Sequence, residues 1–192
     1  MVKILAFSGS SRKDSYNQKL VRIAADGARS AGAELTVINL ADFEMPIFNE
    51  CLEKKEGMPW SARAFKELLI THDGFLIASP EYNSAFSPLL KNAIDWASRR
   101  EEDELPLLAY RGKLAAIMSA SPGALGGLRG LVFLRLLLSN IGVTVLSDQQ
   151  AIANAAKAFS DDGSLVDSAQ QEAVMGLGVN LAQTVAKLKA SV

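Results

Sequence analysis

The chain has 192 residues, 49% of them hydrophobic and 21% charged, with a formal net charge of −1. That balance suits one globular domain with a sizeable core, and it excludes a disordered chain. No apolar run reaches the roughly 18 residues of a membrane span, and no basic field favours nucleic acid or anionic lipid.

The single cysteine, Cys51, excludes an internal disulfide. The single histidine, His72, leaves a zinc site without its ligands, so no metal is expected. The opening MVKILAFSGS reads as a first strand rather than a secretory signal, which with the lone cysteine points to the cytoplasm.

In chain order, 2–7 is an apolar strand and 8–16 a polar loop. Residues 17–31 then carry Leu20, Val21, Ala24 and Ala28 at helical spacing, with Gly32 as a stop. Residues 35–40 form a second strand, and 41–59 read as irregular. Ser61 is expected to cap a helix with Ala64, Phe65, Leu68 and Leu69 on its apolar face. His72, just before the third strand at 74–79, reads as a surface histidine rather than a general base. Ser87-Pro88 marks the next helix start, with Leu90, Ala93, Ile94 and Ala97 on one face.

The acidic stretch 101–104 reads as a solvated loop. A fourth strand is expected over 114–119, a helix over 126–140, a fifth strand over 143–146 and a closing helix over 169–188. Alternating strands and helices imply a parallel sheet covered on both faces. Five strands favour the flavodoxin-like three-layer α/β sandwich of order 2-1-3-4-5. Its ligand crevice lies where the winding reverses, at the carboxyl ends of the strands. Three loops are therefore singled out: those after Phe7, Ser79 and Ser119.

The first loop, Gly9-Ser10-Ser11-Arg12-Lys13-Asp14-Ser15-Tyr16-Asn17, opens directly into a helix. Unpaired N–H groups, short hydroxyls and the Arg12 fork suit a phosphate monoester; an ordinary capped turn is the alternative. The loop lacks the G-x-x-x-x-G-K-[ST] of a P-loop and the G-x-G-x-x-G of a dinucleotide fold. It also lacks a cysteine nucleophile ahead of its arginine. In the second loop, Pro80-Glu81-Tyr82-Asn83 can offer backbone amides and aromatic surface to a flat heterocycle, or be only a rigid turn. In the third, Ser121 and Gly123 belong to a glycine-rich run that lets backbone approach a ligand.

Taken together, GSSRKDSYNQKL from Gly9, SPEYNSAFSPLLKNAIDW from Ser79 and SASPGALGGLRG from Ser119 resemble the NAD(P)H-dependent FMN reductases, which include chromate and quinone reductases. The resemblance covers about the first three quarters of the chain. It implies FMN as cofactor and NADPH or NADH as donor. It implies that Ser10, Arg12, Ser15 and Asn17, with Tyr16 beside them, hold the phosphate. Pro80, Glu81, Tyr82 and Asn83 would meet the ring, and Ser121 and Gly123 would approach it.

The hydride would pass through flavin N5, so no side chain is assigned an acid or base role. Expected acceptors are quinones, free flavin, azo compounds and chromate, in a ping-pong cycle. The apolar run Leu128, Leu131, Val132, Phe133, Leu134, Leu136, Leu137 and Leu138 is expected to meet another subunit in a homodimer or homotetramer. The competing readings are a flavodoxin-type electron carrier and a flavin-binding redox sensor.

Overall fold

The computed structural model describes residues 1–101 and 103–191. Five parallel strands form the main sheet: β1 (Lys3–Ser8), β2 (Glu34–Asn39), β3 (Gly74–Ala78), β6 (Leu114–Ala120) and β7 (Thr144–Ile152). Their spatial order is β2-β1-β3-β6-β7, which is the expected 2-1-3-4-5 with the hairpin strands left out. That hairpin, β4 (Glu81–Tyr82) paired antiparallel with β5 (Ala85–Phe86), stands at the carboxyl edge of the sheet.

Apolar side chains that alternate along the central strands feed two cores. On one face Ile4, Ala6, Leu76 and Met118 pack against α1 (Tyr16–Ser30) and α7 (Ser168–Ala190). On the other, Leu5, Phe7, Phe75 and Ile117 pack against α3 (Trp60–Thr71), α4 (Pro88–Ala97) and α5 (Leu128–Asn140). The winding reverses between β1 and β3, whose register runs Ser8 against Ala78. Gly9 donates onward to the Ala78 carbonyl at 2.8 Å, so the two site loops leave the sheet side by side.

Several expectations need correction. The 41–59 stretch contains a short helix, α2 (Glu50–Glu56). The Asn49 side chain accepts from Cys51 and Leu52, with Glu50 and Glu53 in its first turn and Lys54 and Lys55 in its last. None of its residues is buried, so there was no apolar period to read. At α3, Pro59 takes the N-cap position with no side-chain bond; Ser61 instead donates to the Glu44 carbonyl.

His72 is buried, its two ring nitrogens bonded to the Leu68 carbonyl at 2.6 Å and the Thr36 hydroxyl at 2.7 Å. The acidic stretch is not simply solvated, although Glu102 lies outside the described residues. The buried Lys66 donates to Glu104 and to the Arg99 carbonyl, and Glu101 pairs with Arg63. Burial alone would raise the Glu104 pKa; the hydrogen bond from Lys66 holds it below the ordinary range.

The fifth sheet strand extends past 146 to Ile152 through a shift of register between Ala115 and Ile117. Helix α5 starts at Leu128, two residues later than expected, because Gly126 and Gly127 take left-handed φ of +61° and +92°. A four-residue helix, α6 (Ala155–Ala158), follows β7.

Candidate functional site

The loops after β1, β3 and β6 meet around a cleft of about 300 Å³. The phosphate-type turn contributes Ser10, Arg12, Ser15, Tyr16 and Asn17 to its wall. Pro80, Glu81 and Tyr82 come from the second loop, and Ala120, Ser121 and Pro122 from the third. Nine of the eleven expected site residues therefore converge. Asn83 and Gly123 do not line the cleft.

The first turn is shaped by its own hydroxyls. Ser10 donates its N–H to the buried Ser8 hydroxyl at 3.2 Å, and its side chain accepts from Arg12 N–H at 3.4 Å. Ser15 is the N-cap of α1 and accepts from Gln18 N–H at 3.3 Å. Each serine oxygen used as an acceptor keeps its own O–H to donate outward. The first turn of α1 carries no acidic residue, so no side chain of that turn offsets the positive end of the helix dipole beside these donors.

Gly9 makes the turn possible by close approach. A Cβ there would lie 2.8 Å from the Ser87 hydroxyl and 2.9 Å from Leu90 Cβ. Ser87 donates to the Gly9 carbonyl and caps α4 by accepting from Leu90 N–H. The helix start recognised at Ser87-Pro88 thus also braces the anion turn.

Asn17 plays a different part from its neighbours. Its amide donates to the Ala120 carbonyl and accepts from the Ala120 N–H, both at 2.9 Å, and the residue is buried. The side chain is committed to holding the third loop. What remains for a ligand at this position is its backbone N–H in the first turn of α1, where no intrahelical acceptor exists. Ala120 was missed by the sequence reading. Its one available signal was its place directly after the expected end of the fourth strand.

Glu81 lines the cleft, but its carboxylate is committed elsewhere. Its carboxylate accepts from Gly130 N–H at 2.9 Å and from Arg129 at 2.7 Å, clamping the hairpin onto the start of α5. Burial would raise its pKa, but the Gly130 N–H and the Arg129 guanidinium outweigh it and hold the carboxylate below the usual range. Asn83 and Ser84 form the hairpin's two-residue tip with φ of +51° and +68°, the sign that a type I′ turn requires. Tyr82 is left 54% exposed at the mouth of the cleft. Gly123 takes part in the fold of its loop, accepting from Gly126 and Asn154 N–H groups.

A larger cavity of about 450 Å³ lies at the opposite, amino end of the sheet. Three of its charged side chains, Asp73, Lys113 and Lys189, are already engaged. Asp73 binds Lys189 and the Lys3 N–H, and the Lys113 ammonium donates to the carbonyls of Ile70 and His72. The smaller cleft, by contrast, combines serine and arginine donors, a helix start and an exposed aromatic ring.

The family model described as NADPH-dependent FMN reductase matches residues 2–157. An NAD(P)H-dependent FMN reductase of Pseudomonas aeruginosa is 37% identical over 175 residues, covering 90% of this chain and 89% of that protein. A quinone reductase of Pseudomonas putida is 35% identical over 160 residues, covering 83% and 82%. Among solved structures, the flavoenzyme NAD(P)H:(acceptor) oxidoreductase FerB from Paracoccus denitrificans superposes with a TM-score of 0.80. It is 28% identical, with 97% of this chain and 98% of that one covered.

Proposed function

The chain belongs to the NADPH-dependent FMN reductase family, and from that premise we propose that the cleft seats FMN with its phosphate on the Ser10–Asn17 turn. It is an NAD(P)H-dependent FMN and quinone reductase. The donor set fits the cofactor: two serine O–H groups, the Arg12 fork and an acid-free helix start converge, as a dianionic monoester needs. Bound FMN supplies the hydride and electron transfer.

The protein's own residues bind and orient. Arg12, Ser10 and Ser15 grip the phosphate. Pro80, Tyr82 and Ser121 border the ring. Asn17 and Glu81 hold the loops that carry these groups, and Asn83 acts through the turn that sets Tyr82. Gly123 keeps the third loop at its distance. No side chain is given a proton to move.

The observation that carries this reading is the convergence of Arg12 with Ser10 and Ser15 on a cleft whose far wall is Tyr82. Donor and acceptor share the cleft beside Tyr82. Their alternate use of it gives ping-pong kinetics with quinones, free flavin, azo compounds and chromate as acceptors. We place the enzyme in the cytoplasm as a homodimer or homotetramer that acts on small molecules, with neither nucleic acid nor membrane as partner.

The test is titration of apoprotein with FMN and with riboflavin, on the wild type and on Arg12→Glu. Loss of a charge-assisted contact plus repulsion should weaken FMN by on the order of 100-fold and leave riboflavin nearly unchanged. Undiminished FMN affinity in Arg12→Glu would overturn the reading.

A further inference from the structure

Arg12 is exposed, and among the described residues it enters no ion pair. Its guanidinium carbon lies over the Tyr16 ring, 4.6 Å from the centroid. Tyr16 in turn stacks on Phe159, with centroids 5.8 Å apart and planes at 10°. Lys19 approaches the Phe159 ring at 5.9 Å. Phe159 lies beyond residue 157, where the family match ends.

Phe159 is itself held firmly. It forms an isolated bridge with Leu165, a buried core residue. A tight turn closes behind it through Ser160 N–H to the Ser164 carbonyl at 2.9 Å and Gly163 N–H to the Ser160 carbonyl at 3.0 Å. Val166 N–H binds the Ala158 carbonyl at 3.0 Å across the same loop. The aromatic pair therefore ties the amino-terminal anion turn to the segment that follows β7.

We infer that Phe159 is a positioning residue for Arg12, acting through Tyr16, and that it sharpens the site's preference for the phosphorylated flavin. This rests on the phosphate reading proposed above. A guanidinium whose central carbon rests over a ring still has N–H groups to offer an anion. An unrestrained exposed arginine loses side-chain freedom when it grips a ligand, and one already laid on a ring loses less. The Tyr16 ring can serve as that platform only if it is itself fixed, and Phe159 is what its face packs on.

The test compares FMN and riboflavin affinities of apoprotein by flavin fluorescence, for wild type, Phe159→Leu and Phe159→Tyr. Leucine keeps apolar bulk but removes the ring; tyrosine restores a ring. Phe159→Leu should lose about three- to tenfold in FMN affinity, from the size of a ring pair and a cation–π contact. Riboflavin affinity should stay within about twofold, and Phe159→Tyr should return the wild-type ratio. A merely structural residue would lower thermal stability without moving that ratio.

If Phe159→Leu fails to fold, Phe159→Met supplies the ringless arm with a more adaptable chain. An unchanged FMN-to-riboflavin ratio in the folded ringless variant, with the wild type discriminating, overturns this inference alone. A wild type that holds both flavins equally overturns the phosphate reading and this inference with it.

Discussion

The side chain of Asn17 and the backbone of Ala120 are bound to each other twice, at 2.9 Å in each direction. This reciprocal pair joins the start of α1 to the end of β6 and so sets the width of the cleft. Asn17→Ala would leave a buried N–H and a buried carbonyl without partners, each costing about 1–3 kcal/mol. We expect a total loss of about 2–6 kcal/mol in urea unfolding, with weaker FMN binding. Asn17→Asp keeps the acceptor but sets an anionic oxygen against the Ala120 carbonyl, and adds charge repelled by phosphate. It should bind FMN worse than Asn17→Ala, and the reverse order would refute a role for the pair in shaping the site.

Glu81 predicts a pH effect. Its carboxylate is stabilised by Gly130 N–H and Arg129, so its folded-state pKa lies below its unfolded one. A depressed carboxylate adds stability above its unfolded pKa and loses it as pH falls through the folded one. The contribution is therefore complete at neutral pH and fades in acid, below the ordinary glutamate range. Glu81→Gln should cost about 1.5–3 kcal/mol at pH 7, the scale of a hydrogen bond to a charged group. The gap between the two proteins should narrow as urea midpoints are followed into acid. A gap that is constant with pH would mean that the carboxylate's charge is not what stabilises the clamp.

The layout of this protein was legible where short-range chemistry decides it. The buried runs of β1, β3 and β6 and the Ser87-Pro88 helix start are local signals, and the structure keeps them. The convergence of three loops followed from the winding rule, since parallel strands put their carboxyl ends together. What sequence could not show was pairing at a distance. Nothing near Asn17 says that its amide faces Ala120, nothing near Glu81 says that it turns to Arg129, and Lys66 gives no sign of its tie to Glu104. His72 was misread for the same reason, since its burial depends on Thr36 from another strand. The short helix α2 escaped because it buries no side chain, which leaves its caps as the signal.

Gly127 and Ser119 test packing beneath the third loop. A Cβ at Gly127 would meet the Ser119 hydroxyl at 1.9 Å, and φ there is +92°. Among the described residues the buried Ser119 hydroxyl has no hydrogen-bond partner. Gly127→Ala should therefore cost at least about 1–3 kcal/mol from backbone strain alone. Ser119→Ala removes an unsatisfied polar atom at little change of shape and should raise stability by about 1 kcal/mol. A destabilised Ser119→Ala protein would show that the hydroxyl is satisfied after all, for instance by solvent or ligand.

Helix α5 carries the test of assembly. Leu131, Leu134 and Leu138 are buried against the sheet, yet Val132, Phe133 and Leu136 on the outer side are 59%, 50% and 57% exposed. Val132 and Leu136 stand one turn apart, with Leu128 a turn before them, so they form one apolar stripe. Arg129 and Arg135 beside it are already engaged, with Glu81 and with the carbonyls of Val145 and Leu146. Such a stripe, apolar and flanked by satisfied cations, suits self-association better than solvent. The double variant Val132→Glu, Leu136→Glu changes only side chains exposed in the protomer, so it should fold. Burying each apolar group adds about 1.5–3 kcal/mol, so two carboxylates there should raise the dissociation constant by more than about 100-fold. Light scattering should give an oligomer for the wild type and a folded monomer for the variant. A wild type that is monomeric at micromolar concentration would leave the stripe without this role, and an oligomeric variant would move the interface elsewhere.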